Sequence, residues 1–316
     1  MNLQTKKSIF DIQNPSQDTI SEIAFSTLHK MMLTSSWDGT VRLYNPETST
    51  GFLSSLSCSK PVLSCSFSKE NPAQAYASSP DGTLYILDLE KSTVSEMKAH
   101  EDGIKAVRSF SNTIITGSWD RTVKFWDTRT AKVSYSVDCP GKVYGMDLED
   151  KLLAVACSGN KILSLKLDDL KPKETTSRLS YMFKSIGCGT RDTILVGSLE
   201  GKCELFYHSR TGGSIVFRSH RKDNAVYSVN TVAINPQNSN MIATGGSNGD
   251  VVLYDCPSRG KLISINENHP ITAGRFTTDG LFYIYSTGND WSRGYETNYI
   301  PVSLKVLDLR GSGINV

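Results

Sequence analysis

Apolar and polar residues alternate over short stretches of this chain with the period of a β-strand, and no stretch sustains a helical period. Val41 and Leu43, and again Val123 and Phe125, are separated by polar residues, as in strands with one face buried. A more continuously apolar segment precedes such stretches: Met31-Met32-Leu33-Thr34, Thr113-Ile114-Ile115-Thr116 and Met241-Ile242-Ala243-Thr244. Asp-Gly or Asn-Gly pairs join several of these segments and supply residues that tolerate the positive φ of a tight hairpin. The pattern predicts an all-β chain assembled from antiparallel hairpins.

The hairpin phrase recurs. It reads Ser36-Trp37-Asp38-Gly39-Thr40-Val41-Arg42-Leu43-Tyr44-Asn45, then Ser79-Pro80-Asp81-Gly82-Thr83-Leu84-Tyr85-Ile86-Leu87-Asp88, then Ser118-Trp119-Asp120-Arg121-Thr122-Val123-Lys124-Phe125-Trp126-Asp127. Weaker copies begin at Ser158 and Ser198, a clear sixth runs from Gly246 to Asp255, and a degenerate seventh falls near Ser286. The first six copies start 43, 39, 40, 40 and 48 residues apart. A spacing of about 40–45 residues is that of one four-stranded propeller blade. Seven copies predict a single seven-bladed β-propeller over 1–316. An open array would leave strand edges bare, so the ring must close. A strand within 8–14 is expected to complete the last blade beside 303–309, and 19–25 to open the first.

Composition then narrows the function by exclusion. The 34 Lys and Arg against 32 Asp and Glu leave a net charge of +2, too balanced to point by itself to nucleic acid or an anionic membrane. No apolar run approaches the length of a membrane span, and Met1 to Lys7 lack the apolar segment of a signal peptide, so no direct membrane contact is expected. The seven cysteines (58, 65, 139, 157, 188, 203 and 256) are odd in number and show no C-x-x-C spacing. They are expected to be reduced, buried hydrophobes of an intracellular protein. Gly187-Cys188-Gly189-Thr190 opens like a nucleotide loop but lacks the remainder, and the five histidines do not cluster at metal-ligand spacing. With no P-loop, G-x-S-x-G or H-E-x-x-H, no catalytic residue, metal or cofactor is expected, and a non-enzymatic interaction protein is indicated.

The third repeat carries His100, Ser118, Asp120 and Trp126, whose imidazole, hydroxyl, carboxylate and indole N–H can satisfy one another as a buried tetrad. The Ser/His/Asp content is superficially catalytic, yet no nucleophile elbow accompanies it, so the set is expected to be structural. Repeats four and five lack most of it and should be less regular. Trp37 and Trp119 share one turn position, where an indole has little core to fill; both are candidate binding anchors on one face. Lys184, Lys202 and Arg218, with Arg221, form a basic group suited to an acidic or phosphorylated peptide.

Longer phrases carry a more specific resemblance. They are Thr116-Gly117-Ser118-Trp119-Asp120, Gly197-Ser198-Leu199-Glu200-Gly201-Lys202, Phe217-Arg218-Ser219-His220-Arg221 and Val226-Tyr227-Ser228-Val229-Asn230. Together they resemble two sister families: the mitotic-checkpoint WD-repeat protein that brings checkpoint kinases to kinetochores, and the nuclear-pore mRNA-export WD-repeat protein. The resemblance implies a scaffold whose upper face binds an acidic peptide, with Trp37 and Trp119 as aromatic contacts and Lys184, Lys202 and Arg218 as basic ones. At 184 and 202 the families place Arg; lysine keeps the charge but loses the planar fork, which changes the aim of peptide recognition. Ser35-Ser36-Trp37-Asp38-Gly39-Thr40-Val41-Arg42-Leu43-Tyr44 and the short N-terminal stretch look like the checkpoint member. Phe125-Trp126-Asp127-Thr128-Arg129 and Asp290-Trp291-Ser292-Arg293-Gly294 look more like the export member. The resemblance taken first is the checkpoint one. It implies a nuclear protein, partly cytoplasmic and at kinetochores in mitosis. Its partners would be a phosphorylated kinetochore scaffold, through phosphothreonine-containing Met-Glu-Leu-Thr-type repeats, and a checkpoint kinase or its paralogue, through an acidic segment. The alternative is an mRNA-export adaptor binding an acidic nucleoporin segment.

Overall fold

The computed structural model describes residues 8–210, 213–258, 260–294 and 300–310. In it the repeats form seven four-stranded antiparallel sheets in a ring, a seven-bladed β-propeller with no helix among the described residues. Six blades are simple meanders over 20–57, 64–98, 104–138, 143–176, 183–218 and 229–266. The seventh takes three strands from 271–308 and its outermost strand from Ser8–Asp11, which pairs with Ser303–Asp308 from Ser8↔Asp308 to Asp11↔Lys305. A two-stranded hairpin, Arg221–Lys222 with Ala225–Val226, is inserted between blades 5 and 6. The turns follow the chemistry of the repeat: Gly39, Gly82 and Gly249 have φ of 80°, 86° and 78°, where a side chain would strain the backbone. Arg121 takes the same conformation, at 68°, in blade 3.

The first strand of each blade is innermost and lies against its counterparts in the neighbouring blades, so seven first strands enclose a central channel of about 1380 Å³. Each of the seven seams between blades is filled by its own apolar cluster. The seam of blades 7 and 1, where the ring closes, packs Ile12, Ile20, Met32 and Tyr44 against Ala273, Ile284 and Val306. Burial of this kind stabilises a ring at roughly 25 cal/mol per Å² of apolar surface removed from water.

Charge fastens the ring a second time, across the channel. Arg108 of blade 3 donates through Nη2 to Glu22 Oε1 of blade 1 at 2.6 Å and through Nε to Asp147 Oδ1 of blade 4 at 3.0 Å. Arg275 of blade 7 reaches the same Asp147 oxygen at 3.1 Å, while Asp147 Oδ2 accepts the backbone N–H of Cys188 in blade 5 at 2.9 Å. Ser64 of blade 2 donates to Glu22. Six blades thus meet in one network. Burial pushes the Asp147 carboxyl up, but Arg275 and Arg108 outweigh it and hold the group below the usual carboxylate range.

The buried tetrad of blade 3 exists with one member changed. His100 Nδ1 bonds Asp120 Oδ2 at 2.7 Å, and His100 Nε2 bonds the hydroxyl of Thr116, not of Ser118, at 2.7 Å. Trp126 Nε1 donates to the same Thr116 oxygen at 2.9 Å. Ser118 instead caps the turn, donating to Asp102 O at 3.1 Å and accepting from the N–H of Asp120 at 3.0 Å. Positions 116 and 118 lie two apart on one strand and share a face, so the strand period alone does not separate them. A second such network lies in blade 6, where His220 bonds Asn248 Oδ1 and Thr244 Oγ1, both at 2.9 Å. Ser219 links Thr244 to the Tyr254 hydroxyl, again at 2.9 Å. Blades 4 and 5 are complete sheets, but their outermost strands, Lys173–Thr176 and Ile215–Arg218, have only four residues each.

Candidate peptide-binding face

Antiparallel alternation decides which turns share a face. The turns between the second and third strands of each blade and the links from one blade to the next all lie at the end of the ring where the first strands begin, here termed the upper face. Eleven large apolar side chains stand exposed among the described residues, and six of them are on this face: Trp37, Tyr181, Met182, Leu199, Val226 and Trp291. Four of the other five are scattered on outermost strands. A concentration of exposed apolar residues on one face marks an interaction surface.

Trp37 is 43% exposed at the rim of the channel, its backbone N–H fixed to Thr19 O at 3.0 Å. Trp119 holds the same turn position in blade 3 but is half-buried. Its indole lies over Gly103, where a side-chain carbon would come within 2.4 Å of the ring, and the backbone N–H of Trp119 donates to Gly103 O at 2.8 Å. The two tryptophans therefore differ: Trp37 projects at the mouth of the channel, and Trp119 is packed against its own blade seam. Trp291, which the sequence alone did not single out as a contact, is 58% exposed at the same rim as Trp37. Its backbone has φ of 59°, a strained value for so bulky a residue. The strain is held by Asn289 Oδ1, which accepts the Trp291 N–H at 2.9 Å, and by Thr19, which donates to Asn289 O at 2.7 Å.

The basic residues divide in the same way. Lys184 is exposed, lines the channel mouth and has no hydrogen-bond or ion-pair partner among the described residues. Lys202 and Arg218 sit opposite one another on the last two strands of blade 5, a like-charge pairing that needs relief. Glu200 provides it by bonding Lys202 directly. That carboxylate is buried, accepts the N–H of Ser180 at 2.8 Å and lies 4.0 Å from Arg221. Burial raises its pKa, but the bonds from Lys202 and Ser180 and the charge of Arg221 bring it below the usual range. Lys202 and Arg221 are thus largely answered within the chain, and Arg218 is left exposed without an ion-pair or hydrogen-bond partner among the described residues.

The family model described as "WD domain, G-beta repeat" matches residues 6–45, 91–127 and 214–255. A "WD40 repeat protein poxJ" of Penicillium oxalicum is 32% identical over 308 residues, covering 91% of this chain and 89% of that protein. This chain belongs to the WD-repeat family. The three matched segments end in blades 1, 3 and 6, the blades in which pairing of the third and fourth strands is broken by a bulge at Tyr44, Trp126 and Tyr254. Each of these aromatics precedes the Asn or Asp that closes the repeat. Two further WD-repeat relatives bear on the sister families. The "Poly(A)+ RNA export protein" of Schizosaccharomyces pombe is 30% identical, covering 96% of this chain and 90% of that protein. The "Spindle assembly checkpoint protein bub3" of the same organism is 26% identical, covering 92% and 97%. Among solved structures, "Structure of U3-55K" superposes with a TM-score of 0.83 at 16% identity, covering 95% of this chain and 98% of that one, a likeness of fold.

Proposed function

We propose that this WD-repeat protein is a non-enzymatic adaptor of the mRNA-export type, acting in the nucleus or at the nuclear pore, whose upper face holds an acidic peptide segment. The observation that carries the reading is the pairing, on one rim, of two exposed tryptophans, Trp37 and Trp291, with Lys184, a lysine with no ion-pair partner among the described residues. Large aromatics beside an unanswered cation suit an extended segment that mixes apolar and acidic side chains. The export relative's higher identity and the Asp290-Trp291-Ser292-Arg293 phrase support export over checkpoint. So does the pairing of Lys202 with Glu200, which leaves Arg218 alone to meet a phosphate. The checkpoint reading keeps the Ser35–Tyr44 phrase and the match to 97% of the checkpoint protein as its supports.

The test is a titration of the purified chain with an acidic nucleoporin-type segment, a threonine-phosphorylated Met-Glu-Leu-Thr-type peptide and its unphosphorylated twin. Binding of the acidic segment, weakened at least about ten-fold by Trp37→Ala and indifferent to phosphate, is the expected result. Phosphate-dependent binding that disappears in Lys202→Ala would replace export by the checkpoint function.

A further inference from the structure

At the lower end of the channel the first strand of each blade turns back into the second. These turns take two or three residues in blades 3, 4 and 5 (111–112, 150–151 and 190–192) and five or six in the other four blades. The lower mouth is thus walled by loops on one side and low on the other, which gives an entry from below beside blades 3 to 5. Just inside it the ends of the first strands set an apolar ring that includes Phe25, Phe67, Phe110, Leu148 and Phe276. Phe67 and Phe276 are buried, whereas Phe25, Phe110 and Leu148 keep part of their surface uncovered.

Three charged side chains stand at this ring. Glu149 ends the first strand of blade 4, Lys69 follows that of blade 2, Arg275 belongs to that of blade 7, and all three line the channel. Arg275 spends Nη2 on Asp147, and its Nε and Nη1 have no acceptor among the described residues. The side chains of Lys69 and Glu149 have no hydrogen-bond or ion-pair partner among the described residues. Each group nevertheless feels the others. Lys69 is exposed at the mouth, yet loss of water around its amine still lowers it below the usual lysine range, opposed by the charge of Glu149 and aided by that of Arg275. Burial and the charge of Asp147 raise the half-buried Glu149 carboxyl, against the pull of Arg275 and Lys69. One acid and two cations therefore share a cavity, and no ion pair closes between the acid and either cation among the described residues.

We infer that the lower channel is a binding site for a small zwitterion with an apolar body, the chemistry of a free α-amino acid with a large apolar side chain. The ligand carboxylate accepts from Nε and Nη1 of Arg275 and from the Lys69 amine, its ammonium donates to Glu149, and its side chain lies against Phe25, Phe110 and Leu148. A plain anion is the poorer fit because it faces Glu149, and a plain amine is poorer because it leaves Arg275 and Lys69 unanswered. The site is at the opposite end of the channel from the peptide-binding face and does not depend on the reading of that face.

The experiment titrates L-phenylalanine into the full chain, followed by saturation-transfer NMR. Two analogues run beside it: phenylalaninamide, which lacks the carboxylate, and N-acetylphenylalanine, which lacks the ammonium. L-phenylalanine is expected to bind, and each analogue to bind about ten-fold more weakly or worse. L-alanine should also bind more weakly, since it leaves the apolar ring uncovered. Lys69→Met and Glu149→Gln break no bond among the described residues, and each should weaken L-phenylalanine several-fold. Phenylalaninamide should be indifferent to Lys69→Met, and N-acetylphenylalanine to Glu149→Gln, because the matching contact is already missing. Trp37→Ala should leave L-phenylalanine binding unchanged, which separates this site from the upper face. Absence of saturation transfer to L-phenylalanine at millimolar concentration, with the chain folded by circular dichroism, would overturn the inference. So would equal binding of L-phenylalanine and both analogues, a result that needs no variant to fold.

Discussion

Arg108→Met is expected to lower the unfolding free energy by about 3–5 kcal/mol, the range found when one partner of a buried ion pair is removed. Only 11% of the Arg108 side chain is exposed, and it is the one residue of the channel network that bonds both acids, Glu22 and Asp147. Methionine fills much of the same volume but, among the described residues, leaves Glu22 with no ion-pair partner and Asp147 with Arg275 alone. The penalty comes from the stranded acids more than from the lost attraction, which can be tested directly. Adding Glu22→Gln to Arg108→Met should recover part of the loss, because the acid left behind is then neutral. Arg108→Lys should fall between the two, keeping charge but unable to span both acids with one planar fork. Urea denaturation of the four proteins decides the matter. A single Arg108→Met variant within about 0.5 kcal/mol of the parent would mean that the network adds nothing to the ring.

Acid should weaken the fold through His220. Burial drives this imidazole down to about 4 from 6.5, outweighing the hydrogen bond to Asn248 and the charge of Asp250, which favour the charged ring. The folded pKa lies below the unfolded one, so the unfolded chain binds the proton more readily. The stabilisation is therefore full above pH 6.5 and is lost as the pH falls towards 4. A depression of that size corresponds to roughly 3 kcal/mol. His100 shifts in the same direction, burial outweighing the raising effect of Asp120. Denaturation midpoints measured from pH 7.5 to 4.5 should fall steeply for the parent. For His220→Gln they should start lower at neutral pH and fall less. Parallel slopes for the two proteins would show that His220 does not titrate across this window.

The fold was legible in the sequence because its period is written in turn chemistry. Gly39, Gly82 and Gly249 sit at left-handed positions that glycine meets without strain, and the strands around them keep a period of two. The second tetrad was not legible, since the inserted hairpin at Arg221–Val226 places His220 28 residues before Asn248, where the His100–Asp120 separation is 20. Thr116 was missed because two hydroxyls on one strand face offer the same chemistry to His100. The site was legible in part. Trp37 and Lys184 stand where the turn and the basic group indicated, whereas Lys202 is drawn aside by Glu200, a pairing of residues two apart that charge counting does not register.

The claim that the upper face is the working surface is tested most directly by hydrogen exchange of the chain alone and with the acidic nucleoporin-type segment bound. Slowed exchange is predicted in the turns around Trp37, Leu199 and Trp291 and at the channel mouth near Lys184, with the turns of the opposite face unchanged. Protection confined to the opposite face or to the outermost strands would contradict it.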